Sequence, residues 1–547
     1  MNSKRTIIIG GVAGGATAAA RLSRLDSTRE IIILERGAHV SFANCGLPYY
    51  IGGVIEKESS LLLATPELFR SRYGIEVRLQ HEVTAIHPEE RRVSVTDLRT
   101  GEALQMEYDE LVLSPGAAPL RPPMPGIDLP GVMTLRTVPD ANAIRRYIAE
   151  HGVRRALVVG AGFIGLEVAE NLHHAGIEVS VVEGGNHVLP PLDAHMATYV
   201  AELLQNNGIS VETGRIAAGI RRTETGRLQA YNDNWSSVEA DLILLSIGVR
   251  PETDLARAAG LEIGETGAIL TDEHMRTSAL GIWAVGDAVQ VINRITGKPM
   301  RLALAGVAQK QARVAADDIT GRPAAFRGVL GTSVLRLFGT TVAMTGLNVD
   351  LLARGGDTDY EYVDGHHTQH VGYYPGATPI HARLVYRRSD GRILGYTAIG
   401  SHGAARRADV VAALLGKEGT VYDLAEAELS YSPQEGSAKD PVNQLALAAV
   451  NNLDGLHPLA HRSDISADAY LLDVREEAEV QRAPYGQAVN IPLSQLRDRL
   501  GELPQDRELL VFCQSGVRGH SATALLNDRG FRARHLSGGY ISLTRPE

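Results

Sequence analysis

Two cysteines, Cys45 and Cys513, are the residues of this 547-residue chain whose type and surroundings point most directly to chemistry. They are the only cysteines and lie far apart in the sequence. A disulfide framework and a multi-thiolate metal site are therefore excluded, and no metal is expected. Isolated cysteines are often buried as small hydrophobic residues, so their neighbourhoods must decide whether these two react.

Two glycine-rich turns have the spacing that binds the pyrophosphate of a dinucleotide. The first runs from Gly10 to Gly15 after an apolar run, with Val12 at the middle position, and Glu35 follows twenty residues later. The first glycine permits a tight turn, the last lets a helix approach the strand, and N–H groups at the helix start hold the pyrophosphate. Glu35 then stands where a carboxylate binds ribose hydroxyl groups.

The second turn has the complete G-x-G-x-x-G pattern, formed by Gly160, Gly162 and Gly165, and Glu183 lies eighteen residues further on. A carboxylate at that place accepts hydrogen bonds from a ribose 2′-hydroxyl and repels a 2′-phosphate. NADH is therefore expected in preference to NADPH, which stays open as an alternative. Two such strand–turn–helix–strand units indicate two dinucleotide sites, or one inherited pair that serves two cofactors.

Cys45 follows Glu35 by ten residues, in the segment Ser-Phe-Ala-Asn-Cys-Gly-Leu-Pro-Tyr-Tyr. A thiol there can lie close to a flavin, and a reduced flavin passes electrons to a disulfide only through contact with sulfur. Because no second cysteine is within reach, Cys45 must bond covalently to a disulfide or persulfide from outside the protein. Thiol–disulfide exchange requires the thiolate, so a lowered pKa of Cys45 is predicted. A helix N-terminus or the flavin would supply the field that stabilises the thiolate.

The segment around Gly286 and Asp287 resembles part of the flavoprotein disulfide reductases that have two dinucleotide-binding domains. In that family the aspartate equivalent to Asp287 binds the ribityl chain of FAD. The stretch that contains Ser114 and Gly116 resembles a connecting segment of the same family. The resemblance covers residues 1 to about 450 and implies FAD and a nicotinamide dinucleotide as cofactors.

The Ser-Phe-x-x-Cys pattern at Cys45 resembles coenzyme A-disulfide reductases and coenzyme A-persulfide reductases. Their relatives, the NADH oxidases and peroxidases, use a similar lone cysteine as a sulfenic acid. Segments around Tyr373 and Tyr431 resemble interface motifs of the coenzyme A branch, in which two tyrosines approach the catalytic sulfur, one from the partner subunit. This implies a homodimer and a phenol that protonates a leaving thiolate. Coenzyme A is polyanionic, so its site should contain cations. The resemblance places its binding positions at Thr17, Arg21, Arg24, Ser41, Asn44 and Lys439. Arg72 is adjacent in the sequence to one further binding position of the family.

Cys513 begins the loop Cys-Gln-Ser-Gly-Val-Arg between a predicted strand and a predicted helix. Backbone N–H groups and the helix dipole stabilise a thiolate there, and Arg518 is expected to add charge or to brace the loop. The segment resembles the rhodanese family, whose cysteines carry a sulfane sulfur as a persulfide. A cysteine phosphatase of the same fold is an alternative, but it uses Cys-x5-Arg, whereas this loop is Cys-x4-Arg. A non-catalytic binding module is the other alternative.

Several α/β domains must position these residues, because 547 residues exceed what one hydrophobic core supports. The alternation of strands and helices, with the resemblances, predicts two Rossmann-like dinucleotide-binding domains, an α+β C-terminal interface domain for dimerisation and a small α/β rhodanese domain. The predicted limits are 1–112 and 273–328 for the FAD-binding domain, 113–150 for a connecting segment, 151–272 for the NAD-binding domain, 329–447 for the interface domain, 448–463 for a linker and 464–547 for the rhodanese domain.

The composition limits the partners of the chain. A net charge of −10 and a pI of about 6.0 argue against nucleic-acid binding that relies on bulk positive charge. No apolar run reaches the length that spans a bilayer, and residues 1–6 contain no cleavage-site pattern. No membrane association, no signal peptide and a cytoplasmic location are therefore expected.

The predicted activity is NADH-dependent reduction of coenzyme A persulfide or coenzyme A disulfide, with polysulfide as a further acceptor. Cys45 is the predicted redox-active residue, and Cys513 is predicted to handle sulfane sulfur, which favours persulfides as substrates. Two alternatives remain: an NADH oxidase or peroxidase that cycles through a Cys45 sulfenic acid, and a sulfur-relay or redox-sensing protein whose flavin turns over little. The physiological acceptor and the order of sulfur transfer stay open.

Overall fold

The computed structural model describes residues 4–546, which form two compact units. The first unit contains residues 4–184 and 208–329, and the second contains residues 185–207 and 330–546. Residues 1–3 belong to the predicted FAD-binding domain and to the N-terminal segment from which the absence of a signal peptide was predicted. Residue 547 belongs to the predicted rhodanese domain. These four residues lie outside the described part of the chain.

The first unit contains twenty short strands. They are β1 Arg5–Ile9, β2 Glu30–Glu35, β3 Glu76–Leu79, β4 His81–His87, β5 Arg92–Asp97, β6 Ala103–Glu107, β7 Glu110–Leu113, β8 Ala117–Pro119, β9 Val132–Met133, β10 Arg155–Val159, β11 Glu178–Val182, β12 Ser210–Glu212, β13 Gly219–Arg222, β14 Leu228–Asn232, β15 Trp235–Ser236, β16 Leu242–Leu245, β17 Val249–Pro251, β18 Ile282–Ala284, β19 Val291–Ile292 and β20 Pro299–Met300.

The strands of the second unit follow in the sequence. They are β21 Ser333–Leu337, β22 Thr340–Gly346, β23 Tyr360–Thr368, β24 Pro379–Arg387, β25 Ile393–Gly400, β26 Leu459–Ala460, β27 Tyr470–Asp473, β28 Val489–Asn490, β29 Glu508–Phe512 and β30 Arg532–Leu536.

Helices connect the strands in both units. The α-helices are α1 Ala13–Leu25, α2 Leu47–Ile51, α3 Pro66–Tyr73, α4 Val138–His151, α5 Phe163–His174, α6 Ala194–Asn206, α7 Asp254–Ala258, α8 Ala305–Ile319, α9 Val349–Arg354, α10 Ala404–Leu415, α11 Val421–Glu426, α12 Pro441–Leu453, α13 Glu477–Arg482, α14 Leu493–Leu496, α15 Val517–Asp528 and α16 Gly539–Leu543. Short 3₁₀ helices span Asn44–Gly46, Glu58–Leu61, Arg462–Asp464 and Leu500–Glu502. No helix within residues 4–546 is long and apolar enough to cross a membrane.

Two parallel five-stranded sheets frame the first unit, in the orders β18-β7-β1-β2-β3 and β12-β11-β10-β16-β9. Four of the five residues in each of the central strands β1 and β10 are buried, as expected for parallel strands covered on both faces. A helix begins soon after each central strand. The two glycine-rich turns therefore lie at the carboxyl ends of these strands, where open parallel sheets bind their ligands.

The second unit combines an antiparallel sheet, β21-β22-β25-β24-β23, with a parallel sheet, β26-β30-β29-β27-β28. The parallel sheet carries the C-terminal α/β domain. Its end packs on the antiparallel sheet: the hydroxyl of Ser537 accepts a hydrogen bond from Asp364 N at 2.8 Å, and that of Ser542 lies 2.9 Å from Nε2 of His366. Together with the two parallel sheets of the first unit, this arrangement confirms the predicted α/β fold class.

A buried ion pair holds α6 on the antiparallel sheet. Arg383 on β24 lies directly opposite Asp364 on β23 and donates two hydrogen bonds to its carboxylate, at 2.7 and 2.8 Å. The same guanidinium lies 3.2 Å from Asp193, whose side chain caps α6 by accepting a hydrogen bond from Met196 N. All three charged side chains are buried, so the packing of α6 depends on this cluster.

The domain limits inferred from the sequence remain predictions. Residues 185–207, expected in the NAD-binding domain, belong to the second of the two compact units, where Asp193 contacts Arg383. The segment 448–463, expected as a linker, contains the end of α12 at Leu453 and the edge strand β26, which pairs with β30.

Arg383→Ala is expected to lower the free energy of unfolding of the second unit by about 3–5 kcal/mol. The substitution leaves the carboxylates of Asp364 and Asp193 buried without their counter-charge. Both tryptophans of the chain lie in the first unit, so tryptophan fluorescence does not report on this unit. Hydrogen exchange of β23, β24 and β25 is the suitable measurement.

Arg387→Ala is the matched control for that experiment. Arg387 ends the same strand and pairs with the half-exposed Asp390 at 3.0 Å. A pair of that kind contributes less than about 1 kcal/mol, so the control should exchange nearly as slowly as the unchanged protein. Equal losses of protection in the two variants would contradict the role assigned to the buried cluster.

Two partly buried histidines should make the second unit sensitive to acid. His366 and His381 face each other on β23 and β24, with their Nδ1 atoms 2.9 Å apart. Burial lowers the pKa of His381 to about 4, and burial followed by the charge of His381 also lowers the pKa of His366. Unfolded histidines titrate near about 6.5, so the unfolded chain binds more protons and the unfolding free energy falls as the pH drops from about 6.5 to 4. Protection factors of β24 should fall over this range, and less so in His381→Gln; an equal fall in both proteins would contradict the assignment.

Candidate active site

The first glycine-rich turn joins β1 to α1. Gly10 has a φ of +90°, and a Cβ added there would lie 2.2 Å from the carbonyl oxygen of Ser114. A Cβ on Gly15 would lie 1.9 Å from the carbonyl oxygen of Gly10, so only glycine fits at either position. At the end of β2, Glu35 accepts a hydrogen bond from the N–H of Gly11 at 2.8 Å. The carboxylate is thereby turned toward the start of α1.

The segments that the resemblance assigns to FAD lie around this turn. Helix α1 approaches the end of β7 so closely that a Cβ on Gly14 would lie 2.6 Å from the hydroxyl of Ser114. Asp287 pairs with Arg136, with Oδ2 and Nη2 3.2 Å apart. The same guanidinium borders Gly116, whose added Cβ would lie 3.2 Å from it. Residues from four separate parts of the sequence therefore converge at one end of the first sheet.

These residues fit FAD by their chemistry. The N–H groups at the start of α1 and the side-chain-free cradle of Gly10 and Gly15 suit a pyrophosphate. Glu35 is placed to accept hydrogen bonds from ribose hydroxyls. Asp287, which follows Gly286 with its φ of +87°, is placed to bind a hydroxylated chain such as ribityl.

The second glycine-rich turn joins β10 to α5. A Cβ on Gly160, which has a φ of +104°, would lie 2.4 Å from the carbonyl oxygen of Ser246, and one on Gly165 would lie 2.0 Å from that of Gly160. Gly162 differs, because a Cβ there would meet no protein atom within 4 Å. Glu183 accepts a hydrogen bond from Ala161 N at 2.7 Å, as Glu35 does at the first turn. The open space at Gly162 suits a pyrophosphate that approaches the backbone.

Cys45 lies in the 3₁₀ helix Asn44–Gly46, which continues directly into α2. Its thiol is free and exposed. The surrounding chain nevertheless raises the pKa of this thiol, chiefly through desolvation and then through the negative charges of Glu167 and Asp287, while Arg136 acts in the opposite direction. The chain's own groups therefore do not supply the predicted lowering of the Cys45 pKa, because desolvation and two carboxylates outweigh Arg136; the lowering stays a prediction for the flavin-loaded protein.

A hydrogen bond between α2 and α5 lies beside this cysteine. The hydroxyl of Tyr49 donates to Oε1 of Glu167 at 3.1 Å. Desolvation raises the pKa of Glu167 to about 7, with the charge of Glu170 adding to the increase and the hydrogen bond from Tyr49 opposing it. Burial and the charge of Glu167 raise the pKa of Tyr49 to about 12, so the phenol is neutral at physiological pH.

Tyr373 and Tyr431, which the resemblance pairs near the catalytic sulfur, lie in the second unit. Their hydroxyl oxygens are 3.0 Å apart, although 57 residues separate them in the sequence. Both rings are exposed. The hydrogen bond to Tyr431 raises the pKa of Tyr373. The structure thus brings the two predicted phenols together on the surface of that unit.

Three predicted coenzyme A positions lie on α1. Thr17 is partly buried, and Arg24 is exposed, with its guanidinium 5.8 Å from the ring centre of Tyr73. Arg21 instead donates Nε and Nη2 to Asp317 of α8, at 2.9 and 2.6 Å. Its charge is already paired in joining α1 to α8. Arg24 is therefore the more available cation of the two.

The remaining predicted coenzyme A positions lie on loops and short helices. Ser41 has a φ of +49° and donates its backbone N–H to the carbonyl of Gly11, which fixes the segment before Cys45 beside the first turn. Asn44 opens the 3₁₀ helix that holds the cysteine. Arg72 on α3 and Lys439 before α12 are both exposed. Six of the seven predicted positions lie in the first unit, and Lys439 lies in the second.

Cys513 follows β29 and begins the loop that leads into α15. The cysteine is buried, and its carbonyl accepts a hydrogen bond from Tyr540 N at 2.7 Å. A Cβ on Gly539 would lie 2.3 Å from that carbonyl oxygen, so the returning segment packs directly on the loop. Arg518 donates two hydrogen bonds to Glu479, at 2.6 and 2.8 Å, and this pairing raises its pKa. Arg518 therefore braces the loop, with Glu479 as its partner.

Sequence reasoning missed four residues of these sites: Tyr49, Arg136, Glu167 and Glu479. Tyr49 had a usable signal, because it follows Cys45 by four residues and so shares its side of a helical turn. Glu167 stands two residues after the second turn, and 118 positions separate it from Tyr49. No local pattern indicates that contact.

Comparison with known proteins identifies the family. Residues 4–312, more than half of the chain, match the family of pyridine nucleotide-disulphide oxidoreductases. The chain belongs to the pyridine nucleotide-disulphide oxidoreductase family. Residues 458–544 match the rhodanese-like domain. This oxidoreductase is also similar to the coenzyme A disulfide reductase of Staphylococcus haemolyticus, with 32% identity over 447 residues that cover 82% of this chain and 99% of that protein.

Two solved structures resemble the whole oxidoreductase, including its C-terminal domain. The reduced CoADR-RHD of Bacillus anthracis has 41% identity and a TM-score of 0.97, covering 99% of this chain and 98% of the other. The NAD-dependent persulfide reductase from A. fulgidus has 35% identity and a TM-score of 0.92, covering 99% and 100%. The resemblance inferred from the sequence is thus confirmed. So are the enzyme class, an FAD- and NAD(P)H-dependent oxidoreductase, and the attached rhodanese-like domain.

Alanine substitutions in the second turn of this oxidoreductase should separate dinucleotide contact from folding. In Gly162→Ala the new methyl group meets no protein atom, so the first unit should keep its stability. The KM for NADH should rise at least about tenfold, because the methyl group enters the space proposed for the pyrophosphate. Gly165→Ala collides with the Gly160 carbonyl and should lower the melting temperature. Steady-state kinetics and thermal unfolding of the FAD-loaded protein are the measurements. A normal KM in a stable Gly162→Ala protein would contradict this placement.

Proposed function

We propose that the protein is an NADH-dependent reductase of coenzyme A persulfide and coenzyme A disulfide, with persulfide as the favoured substrate. The single observation that carries the proposal is the lone free thiol of Cys45, which lies among residues of both dinucleotide-binding regions. The chain has no second cysteine near it in the sequence. The names of the two whole-length relatives, a CoADR-RHD and a persulfide reductase, agree with this substrate class.

Cys45 acts as the nucleophile. Its thiolate attacks one sulfur of the substrate, an S–S bond to Cys45 forms, the substrate S–S bond breaks, and a thiolate or hydrosulfide leaves. FAD, held at the first turn by Gly10, Gly15, Glu35 and Asp287, would supply the two electrons that cleave the new bond, with NADH as their source. One NADH and one proton are consumed, and the products are two thiols from a disulfide, or one thiol and hydrogen sulfide from a persulfide.

The chain's own groups orient and protonate the reactants. Arg136 lies near Cys45 and is the cation that favours its thiolate. Tyr373 and Tyr431 protonate the departing sulfur, with one copy of the chain serving the cysteine of another in a homodimer. Both phenols are exposed and already hydrogen-bonded to each other, which supports such a role. Glu183 binds the ribose of NADH and disfavours the 2′-phosphate of NADPH.

Coenzyme A is polyanionic and suits the exposed cations that the resemblance assigns to it. These are Arg24 and Arg72 in the first unit and Lys439 in the second. Arg21 contributes by holding α1 to α8 through Asp317 rather than as a free cation. Thr17, Ser41 and Asn44 supply the polar contacts of the pantetheine arm.

Cys513 supplies or receives the sulfane sulfur. Its loop has the Cys-x4-Arg ring size that suits sulfur, and the Arg518–Glu479 pair holds the ring in shape. Two free thiols in a long chain suit a reducing compartment, so a cytoplasmic location forms part of the proposal.

Cys45→Ser tests the proposal directly. NADH oxidation with coenzyme A persulfide, and separately with coenzyme A disulfide, should fall at least about a thousandfold, because the nucleophile is lost. The FAD absorbance should remain, since Cys45 is not among the residues assigned to the flavin. Unchanged persulfide reduction in a Cys45→Ser protein would rule the proposal out.

Cys513→Ser provides the matched control. It should reduce coenzyme A disulfide at the normal rate and lose sulfur transfer from a sulfane donor such as thiosulfate. Peroxide or oxygen as the substrate with the highest kcat/KM would instead support the oxidase or peroxidase alternative. Negligible NADH consumption with every acceptor would support the sulfur-relay alternative.

A further inference from the structure

The contact between Tyr49 and Glu167 is not used by the proposed reaction, yet the charge of Glu167 acts on the reacting sulfur. Cys45 and Tyr49 stand four residues apart on the continuous path from the 3₁₀ helix into α2. Tyr49 then reaches across to Glu167 of α5. A chain of three protonatable groups therefore runs from the sulfur to the start of the second dinucleotide-binding helix.

Glu167 has an unusual environment for a carboxylate. It is partly buried, its hydrogen-bond donor is a neutral phenol, and no cationic side chain among residues 4–546 forms an ion pair with it. Two nearby ionisable groups disfavour the anion of Glu167: Glu170 on the same helix, and Cys45 when it is a thiolate. Asp287 and Arg136 face the cysteine from the FAD side.

From this geometry we infer that Glu167 and Cys45 hold a single negative charge between them, with Tyr49, which is hydrogen-bonded to Glu167 and senses the charge of Cys45, as the link. When Cys45 becomes a thiolate, its proton is passed on through the Tyr49 hydroxyl and Glu167 becomes a neutral acid. When Cys45 enters an S–S bond, its charge is gone, and Glu167 ionises again by releasing its proton to water, while the phenols of Tyr373 and Tyr431 protonate the departing sulfur. The proton is conserved in both steps, and no electron moves. Glu167 is thus a positioning residue for the charge of Cys45.

The electrostatics support this coupling. A pKa of about 7 for Glu167 means that the carboxyl group changes charge within the physiological range. The anionic form of Glu167 also raises the pKa of Cys45, so each group opposes the ionisation of the other. Interacting sites of this kind titrate as a pair, with two apparent pKa values that belong to both residues.

The test measures the ionisation of Cys45 in the FAD-loaded protein without substrate. The rate of iodoacetamide alkylation follows the thiolate fraction, and mass spectrometry separates the Cys45 peptide from that of the only other cysteine, Cys513. The unchanged protein should give a broad pH profile with two inflections. Glu167→Gln keeps an acceptor for Tyr49 and removes the charge, so it should give one inflection at lower pH and react at least about threefold faster at pH 7.

Two further variants make the direction of the shift decisive. Tyr49→Phe removes the hydrogen bond that lowers the pKa of Glu167, so the inflection of that group should move to higher pH. Glu170→Gln removes a neighbouring negative charge, so the same inflection should move to lower pH. A residue that only supports the fold would change FAD retention in these variants without moving the inflections in opposite directions.

The inference rests on Cys45 as the reacting thiol, but its failure is distinguishable from failure of the proposed function. If Cys45→Ser abolishes persulfide reduction while Glu167→Gln leaves the alkylation profile unchanged, the shared charge is refuted and the reductase stands. If Glu167→Gln does not retain FAD, the Tyr49→Phe profile decides alone, and an unmoved inflection there overturns the inference.

Discussion

A negative charge on one sulfur atom is the state that thiol–disulfide exchange requires and that the surrounding chain opposes. Desolvation, Glu167 and Asp287 all disfavour the thiolate of Cys45, and Arg136 is the counterweight from the chain. Arg136 is itself paired with Asp287, so its charge is shared. In the proposed reaction, negative charge must therefore be redistributed whenever Cys45 reacts. The flavin, the substrate and the phenols would each affect how stable the thiolate is.

The two glycine-rich turns meet the same steric demand in different ways. In both, the first and last glycines lie against carbonyl oxygens at distances that no side chain tolerates, and a carboxylate at the end of the next strand accepts a hydrogen bond from the turn. The two turns differ at the middle position of the G-x-G-x-x-G pattern. Val12 occupies it in the first turn, and Gly162 leaves it open in the second. The backbone at the second turn is thus more accessible to a dinucleotide that enters and leaves during turnover.

The parts of the fold that sequence reasoning predicted are those with a local signal. The apolar runs of β1 and β10, the helix starts after the glycines and the strand–loop–helix at Cys513 each follow from residues within one short segment. The missed features depend on distant charges. The buried pair of Asp193 with Arg383, 190 residues later, has no local sequence signal. In the same way Asp317 pairs with Arg21, which the resemblance had assigned to coenzyme A binding.

The attachment of the C-terminal domain bears on how sulfur reaches Cys45. Ser537 and Ser542 are hydrogen-bonded to β23, and Arg545 forms a two-point ion pair with Glu202 of α6. Detaching the domain to deliver sulfur from Cys513 would break these hydrogen bonds and this ion pair. A small carrier leaves them intact. Under the proposed function, a persulfide on the long flexible pantetheine arm carries the sulfur while the domain stays in place, so the attachment of the domain agrees with a coenzyme A persulfide better than with direct transfer between the two cysteines.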